Sequence, residues 1–253
     1  MLANGCFEPG DFSMTFGDAS VVKYVSESVG THDTLYSHRH PIEGYLPGTA
    51  FESGELIRWF CDRVLDTTTQ RGLELAGSAP PGEEYELFLP GNPGPFFEPD
   101  MDGSILGLQF DRDRSTDEVH SRLARGLAVG IVLAEGTYIS LIEDHFDTTI
   151  DRVRVMNNGA PTPDEDYSWW NHLRASIWDR PVLEMEQRTT AGLLIPAALI
   201  TPTYEDTDEA SERLLRQQAS VDRRPEDSDS YYSDRSETHL DRWREIASVY
   251  TRH

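Results

Sequence analysis

The sequence predicts an α/β protein built on one mixed sheet flanked by helices, and three observations carry that expectation. Strand-like segments come first, and helices that alternate with strands follow them. The stretch "VRVMNNGAPTPDEDYSWWNHLRASIWDRPV", residues 153–182, opens as an apolar alternation, breaks at a glycine and two prolines, and resumes at helical spacing. It reads as strand, turn, helix, strand. Finally, 253 residues with 38% hydrophobic content and five tryptophans are enough to bury one sizeable core.

Taken in order, "DFSMTFG" alternates and "ASVVKYVSE" is rich in β-branched and aromatic residues, with Gly17 and Asp18 between them. That pattern predicts a hairpin at the start of the sheet. A loop containing "YSHRHP" follows, and then Glu55 to Leu65 place Leu56, Ile57, Trp59, Phe60 and Val64 on one helical face. Residues 72–103 are rich in Gly and Pro and read as a long irregular insertion. Ser115 stands three residues before Glu118, the spacing of a capping box, and opens a helix of about seven turns. Its later part is apolar or small, so it should be buried against the sheet, with Gly126, Gly130 and Gly136 allowing close approach. After the strand–turn–helix–strand unit, "TTAGLLIPAALI" predicts a second buried helix, kinked at Pro196. The tail, residues 206–253, predicts two polar helices, the last anchored by Trp243 and Ile246. The whole reads as a single domain spanning residues 1–253.

Charge narrows the class. Asp and Glu number 45 against 22 Lys and Arg, a formal charge of −23, and Lys23 is the sole lysine. A folded chain with so acidic a surface suits a cytoplasm of high salt, where screening removes much of the self-repulsion. Nucleic acid and anionic membrane would be repelled, and no basic stripe offsets the field. Cys6 and Cys61 have neither disulfide-framework nor metal spacing and read as buried thiols. The first residues lack a basic region followed by an apolar run, so a cytoplasmic protein is expected.

The order of motifs resembles the C-terminal, nucleotide-binding domain of the FGGY carbohydrate kinases, most closely the xylulose and ribulose kinases. The segments that carry the resemblance are "PGDFSMTFGDASVVKYVSE", "LYSHRHP", "YLPGTAFESGELIRWF", "PFFEPDMDGSILGLQFDRDRS", "RLARGLAVGIVLAEGTY", the stretch 153–182 and "TAGLLIPAAL". Each is weak alone; seven in the family's order are specific. The resemblance implies an actin-like, ribonuclease-H-like domain that binds ATP, with Mg²⁺ bridging the phosphates. It implies that Gly17, Asp18, Ala19 and Ser20 form the hairpin turn facing the phosphates, where N–H groups and a hydroxyl meet an anion. Asn157, Asn158, Gly159 and Ala160 take the place of the family's Gly-Gly-Gly-Ala turn beside the adenosine. Besides glycine, asparagine is among the residues that most readily take positive φ, which would preserve that turn's path.

Several departures accompany these matches. Asp18 stands where the family has a small hydroxyl residue, and a carboxylate there would repel a triphosphate. Phe51, Glu52 and Glu55 replace glycine or small polar residues. The family's sugar pocket, N-terminal phosphate loop and general-base aspartate lie in a preceding domain, so an N-terminal sugar-binding domain is absent from these residues and no catalytic residue is assigned in this chain. Two readings stand: the ATP-binding half of a sugar kinase that works with a separately encoded sugar-binding domain, or a truncated, non-catalytic pseudokinase serving as an interaction module.

Other chemistry-bearing residues have plainer readings. His38 and His40, with His32 and Glu43 nearby, have no second ligand cluster and read as hydrogen-bonded loop residues rather than a metal site. Asp164, Glu165 and Asp166 precede a helix, where the macrodipole favours carboxylates; Asp111 and Asp113 belong to the same acidic surface. One of Trp169 and Trp170 should pack in the core, leaving the other open between core and adenine stacking.

Overall fold

The computed structural model describes residues 1–88, 104–108, 112–157, 168–201, 203–222 and 230–250. The predicted hairpin forms as β1 (Phe12–Phe16) and β2 (Ala19–Tyr24), joined at Gly17 and Asp18. Strands also form where the sequence pattern placed none, in the expected loop, in the irregular insertion and, at 217–221, between the two helices expected in the tail. β3 (Tyr36–Arg39) takes up part of the expected loop and pairs with β4 (Tyr45–Glu52), which in turn pairs with β2. With β7 (Val153–Asn157), β8 (Val182–Met185) and β9 (Gln217–Val221), they form a sheet of order β3-β4-β2-β1-β7-β8-β9. β1, β7 and β8 run parallel and the other neighbours antiparallel, so the sheet is mixed as predicted.

Helix α1 (Gly54–Arg63) buries Ile57, Phe60 and Cys61, an i, i+3, i+4 stripe. Trp59 lies off that stripe and Val64 stands at the carboxyl cap beyond the last turn; both are exposed, contrary to the predicted face. The irregular insertion expected from residue 72 is in part regular: α2 (Thr69–Ser78) starts at the Thr68 cap, and β5 (Glu86–Phe88) pairs with β6 (Ser104–Leu106). The rest of it, 89–103, falls outside the described residues.

The capping box at Ser115 and Glu118 opens α3 (Thr116–Phe146), as predicted. By length and composition α3 could cross a membrane, but 78% of its most apolar window is buried within the fold. Gly126 brings it against β5: a Cβ there would lie 2.2 Å from the Tyr85 carbonyl oxygen. Phe12, Met14, Phe16, Val22, Tyr24, Val153 and Val155 on one sheet face join α3 and α4 (Ser168–Trp178) in the main core.

On the opposite face, Met156 and Met185 pack on Ala3, and Leu2 and Phe7 pack with α5 (Thr189–Ile200) and α6 (Thr207–Leu214). α5 contains Pro196 but is not a buried helix. Its other side exposes Leu193, Leu194 and Ile200, the last at 82%. The final helix, α7 (Ser230–Tyr250), buries Trp243 and packs Ile246 against the main core, the predicted anchors. Both cysteines are free and buried, and burial pushes each thiol up to about 11.

Candidate functional site

In an open α/β sheet, ligands bind beyond the carboxyl ends of the strands at the point where the connections part to opposite sides. Here that point lies between β1 and β7. From β1 the chain turns to β2 on one side; from β7 it runs through α4 to β8 on the other. The parallel register pairs Phe16 with Asn157, the last residues of the two strands. The turn after β1 and the end of β7 are therefore side by side; Gly17 to Ser20 and Asn157 are the described parts of the two places picked out in the sequence.

The hairpin turn has a defined polarity. Gly54 N–H donates to the Gly17 carbonyl, and the N–H groups of Ser53 and Glu55 donate to the Asp18 carbonyl. The turn thus caps the amino end of α1, where the Ser53 side chain makes no capping bond. Across a trans peptide the C=O and the following N–H point in opposite directions. With both carbonyls held by α1, the Asp18 and Ala19 N–H groups point away from it, an arrangement suited to an anion.

Asp18 is exposed, and its carboxylate accepts a hydrogen bond from Arg58 of α1 at 2.7 Å. The repulsion expected from Asp18 is therefore offset within the site by a cation that the sequence pattern did not connect to it. Ser20 faces inward: it is fully buried, and its hydroxyl donates to Glu135 of α3 at 2.8 Å. Contact between Ser20 and an anion is left to its backbone.

Asn157 closes β7 in extended conformation. The non-glycine residues of positive φ among those described are Asp66, Asp147 and Asp179, so Asn157 does not supply a left-handed turn. The strand alternation places Asn157 on the face of Val153 and Val155, towards α3 and α4. Its amide nitrogen and oxygen are buried and make no hydrogen bond among the described residues. Asn158, Gly159 and Ala160 lie outside the described residues, as do Asp164 to Asp166 and Asp111. Trp170 is the core tryptophan, packed on Phe16 with ring centroids 5.1 Å apart; Trp169 is half-buried against Trp170 and Gly77.

Beneath these segments lies an ion pair that the sequence analysis missed. Arg174 of α4 donates through Nε to Glu135 Oε2 at 3.0 Å and through Nη2 to Oε1 at 2.9 Å. Both side chains have zero exposure. Nη1 donates to Asn171 Oδ1, and the guanidinium lies 4.8 Å from the Phe16 ring centre. Stranding either buried charge would cost about 3–5 kcal/mol. A signal existed: Glu135 is the one charged residue in 126–142, and Arg174 the one in 168–178. A lone charge in an apolar helix needs a partner.

His40 is occupied elsewhere. His40 Nδ1 accepts the N–H groups of Ile42 and Glu43, and Nε2 faces the Cys6 carbonyl, so both ring nitrogens are taken up by backbone. Among the described residues no group of three or more His, Cys, Asp or Glu could hold a metal ion.

Neither a protein-family model nor a curated protein matches the sequence. Solved structures do match. Gluconate kinase from Lactobacillus acidophilus superposes with a TM-score of 0.79 at 16% identity, over 98% of this chain and 50% of that one. Xylulose kinase from Rhodospirillum rubrum gives 0.73 at 20%, over 98% and 48%. Plasmodium falciparum glycerol kinase with ADP gives 0.73 at 12%, over 100% and 49%. The fold is that of the actin-like sugar kinases, and the chain spans about half the length of each.

Proposed function

We propose that this chain is the ATP-binding half of a carbohydrate kinase of xylulose- or ribulose-kinase type, working in a salt-adapted cytoplasm with a separately encoded sugar-binding domain. The observation that carries the reading is the Phe16–Asn157 register. It brings the end of β7 beside the β1–β2 turn, at the switch point of a fold shared with sugar kinases. Gly17, Asp18 and Ala19 would receive the phosphates through backbone N–H groups. The chain leaving Asn157 through Asn158, Gly159 and Ala160 would lie along the nucleoside. Mg²⁺ would arrive with the phosphates and lower their charge, with no protein ligand assigned to it. The general base and the sugar pocket would belong to the partner, since phosphoryl transfer needs a positioned hydroxyl and two lobes closing over it.

The exposed stripe Leu193, Leu194 and Ile200 supports a missing partner, because α5 carries no charge in a chain of −23. Calorimetry with MgATP at high salt tests the reading. Heat and a rise in melting temperature at millimolar nucleotide are expected, and absence of both would sink it.

A second reading, a non-catalytic module that keeps the fold without transfer chemistry, is favoured by the Asp18 carboxylate and the inward Ser20 hydroxyl at the phosphate-facing turn. Nucleotide binding that never leads to sugar phosphorylation, even with the partner lobe supplied, would select it. Phosphorylation of xylulose or ribulose by the purified chain alone would overturn both the module reading and the assignment of the base to a partner.

A further inference from the structure

We propose that Glu135 and Arg174 are positioning residues that lock the β1–β2 turn to helix α4, so that the two segments at the sheet edge hold or lose their geometry together. Their importance for a nucleotide rests on the functional reading above; the mechanical coupling does not.

The pair and its direct partners reach β1, β2, α4 and the amino end of α1. Glu135 Oε1 accepts from both Ser20 Oγ, at 2.8 Å, and Arg174 Nη2, at 2.9 Å, so one oxygen atom joins β2 to α4. Ser20 Oγ also lies 3.1 Å from Ser53 Oγ, at the amino end of α1 that the turn caps. Arg174 covers Phe16, the residue before the turn, and holds Asn171 in the first half of α4. Starting at Ser53, the connection runs through Ser20, Glu135 and Arg174 to Asn171, and all five are buried.

Packing alone does not require this arrangement. Apolar side chains of similar volume often stabilise a core as well as a buried ion pair does, whereas the pair fixes orientation. The guanidinium fork fits the carboxylate in one plane, and both Glu135 oxygens are engaged by it. Rotation of α4 about its axis, or withdrawal of the turn from α3, would break charge-assisted bonds that water cannot replace at zero exposure.

The test is hydrogen exchange of the whole chain, read on peptides covering residues 17–20 and 168–174, for wild type and the double variant E135M/R174M. The double variant leaves no stranded charge. Exchange should rise about tenfold at both segments together while α3 stays protected. A rise at one segment only, or at neither, overturns the proposal. If the double variant does not fold, Ser20→Ala serves: it removes one link on β2, and faster exchange in α4 is expected, whereas an unchanged α4 overturns the coupling. Where wild type binds MgADP, the folded double variant should bind about tenfold more weakly, and equal affinity overturns the positioning role. Where wild type does not bind MgADP, the nucleotide reading fails and the exchange result alone decides the coupling.

Discussion

His239 makes acid stability a sharp test of how α7 is held. The side chain is 4% exposed and stacked on Phe88, with ring centroids 5.4 Å apart and planes 3° from parallel. Burial, then the charges of Arg235 and Arg242, lower its pKa from 6.5 to about 4. Arg235 and Arg242 also pair with Glu84 and Glu86 beside β5, so the ring sits in a cluster already rich in cations. Because the folded value lies below the unfolded one, the unfolded chain takes up the proton first. The stabilisation is complete above pH 6.5 and is lost as pH falls through 4. Linkage puts the loss at about 2 kcal/mol at pH 5 and about 3 kcal/mol at pH 4. Other carboxylates titrate in the same range, so the measurement is a difference. Urea denaturation of wild type and His239→Phe at pH 7 and pH 5, at constant salt, should show wild type losing about 2 kcal/mol more than the variant. Phenylalanine keeps the stack on Phe88 and carries no proton. Equal pH slopes in the two proteins would refute the assignment.

Two other substitutions probe the packing and the turn. Gly126→Ala drives a methyl group against the Tyr85 carbonyl and Leu87, and should cost about 1–3 kcal/mol in thermal or chemical denaturation; a neutral result would mean that β5 moves freely relative to α3. Arg58→Ala should change stability by less than about 1 kcal/mol, since the pair with Asp18 is exposed, and should weaken MgADP binding. Asp18→Ser should strengthen that binding, and a calorimetric titration that ranked the two variants the other way would contradict the polarity assigned to the turn.

Much of the fold was legible because local chemistry and tertiary structure agree. Gly17 and Asp18 between an alternating segment and a β-branched, aromatic one, and the Ser115–Glu118 box, both sit where the pattern placed them. The failures have physical causes. β4 contains Pro47 and Gly48, which read locally as a turn, but it lies between β2 and β3, whose pairing holds it extended. α2 contains Gly72 and Gly77 yet is helical: Gly72 lets Cys61 of α1 approach closely, and packing outweighs the weak helix propensity of glycine. α5 was expected to be buried because it is apolar, and apolarity alone cannot say that one face has no cover among the described residues. At the site, the hairpin turn was visible as a departure from periodicity. The pair beneath it was not, since Glu135 and Arg174 are separated by 39 positions and each sits in its own helix.

A charge of −23 opposes the binding of a polyphosphate, and that opposition supplies a test of how the edge works. Exposed Glu52 and Glu55 flank the turn, and the Asp18–Arg58 pair contributes no net charge, so the local field remains negative. Glu135 and Arg174 cancel one another within the core. On the proposed nucleotide reading, attraction would come from the Asp18 and Ala19 N–H groups at short range, and repulsion from carboxylates farther off. Salt acts unequally on these: the Debye length is about 10 Å at 0.1 M and about 3 Å at 1 M, so screening removes the distant repulsion and leaves hydrogen bonds in place. Affinity for MgADP should therefore rise with salt, opposite in sign to a site built on lysine and arginine, where added salt weakens anion binding. Titrations at low and molar potassium chloride, with the fold confirmed by circular dichroism at each, decide it. Binding that weakens as salt is added would mean that a cation, with Arg58 the first to examine, holds the phosphates instead of the backbone of the turn.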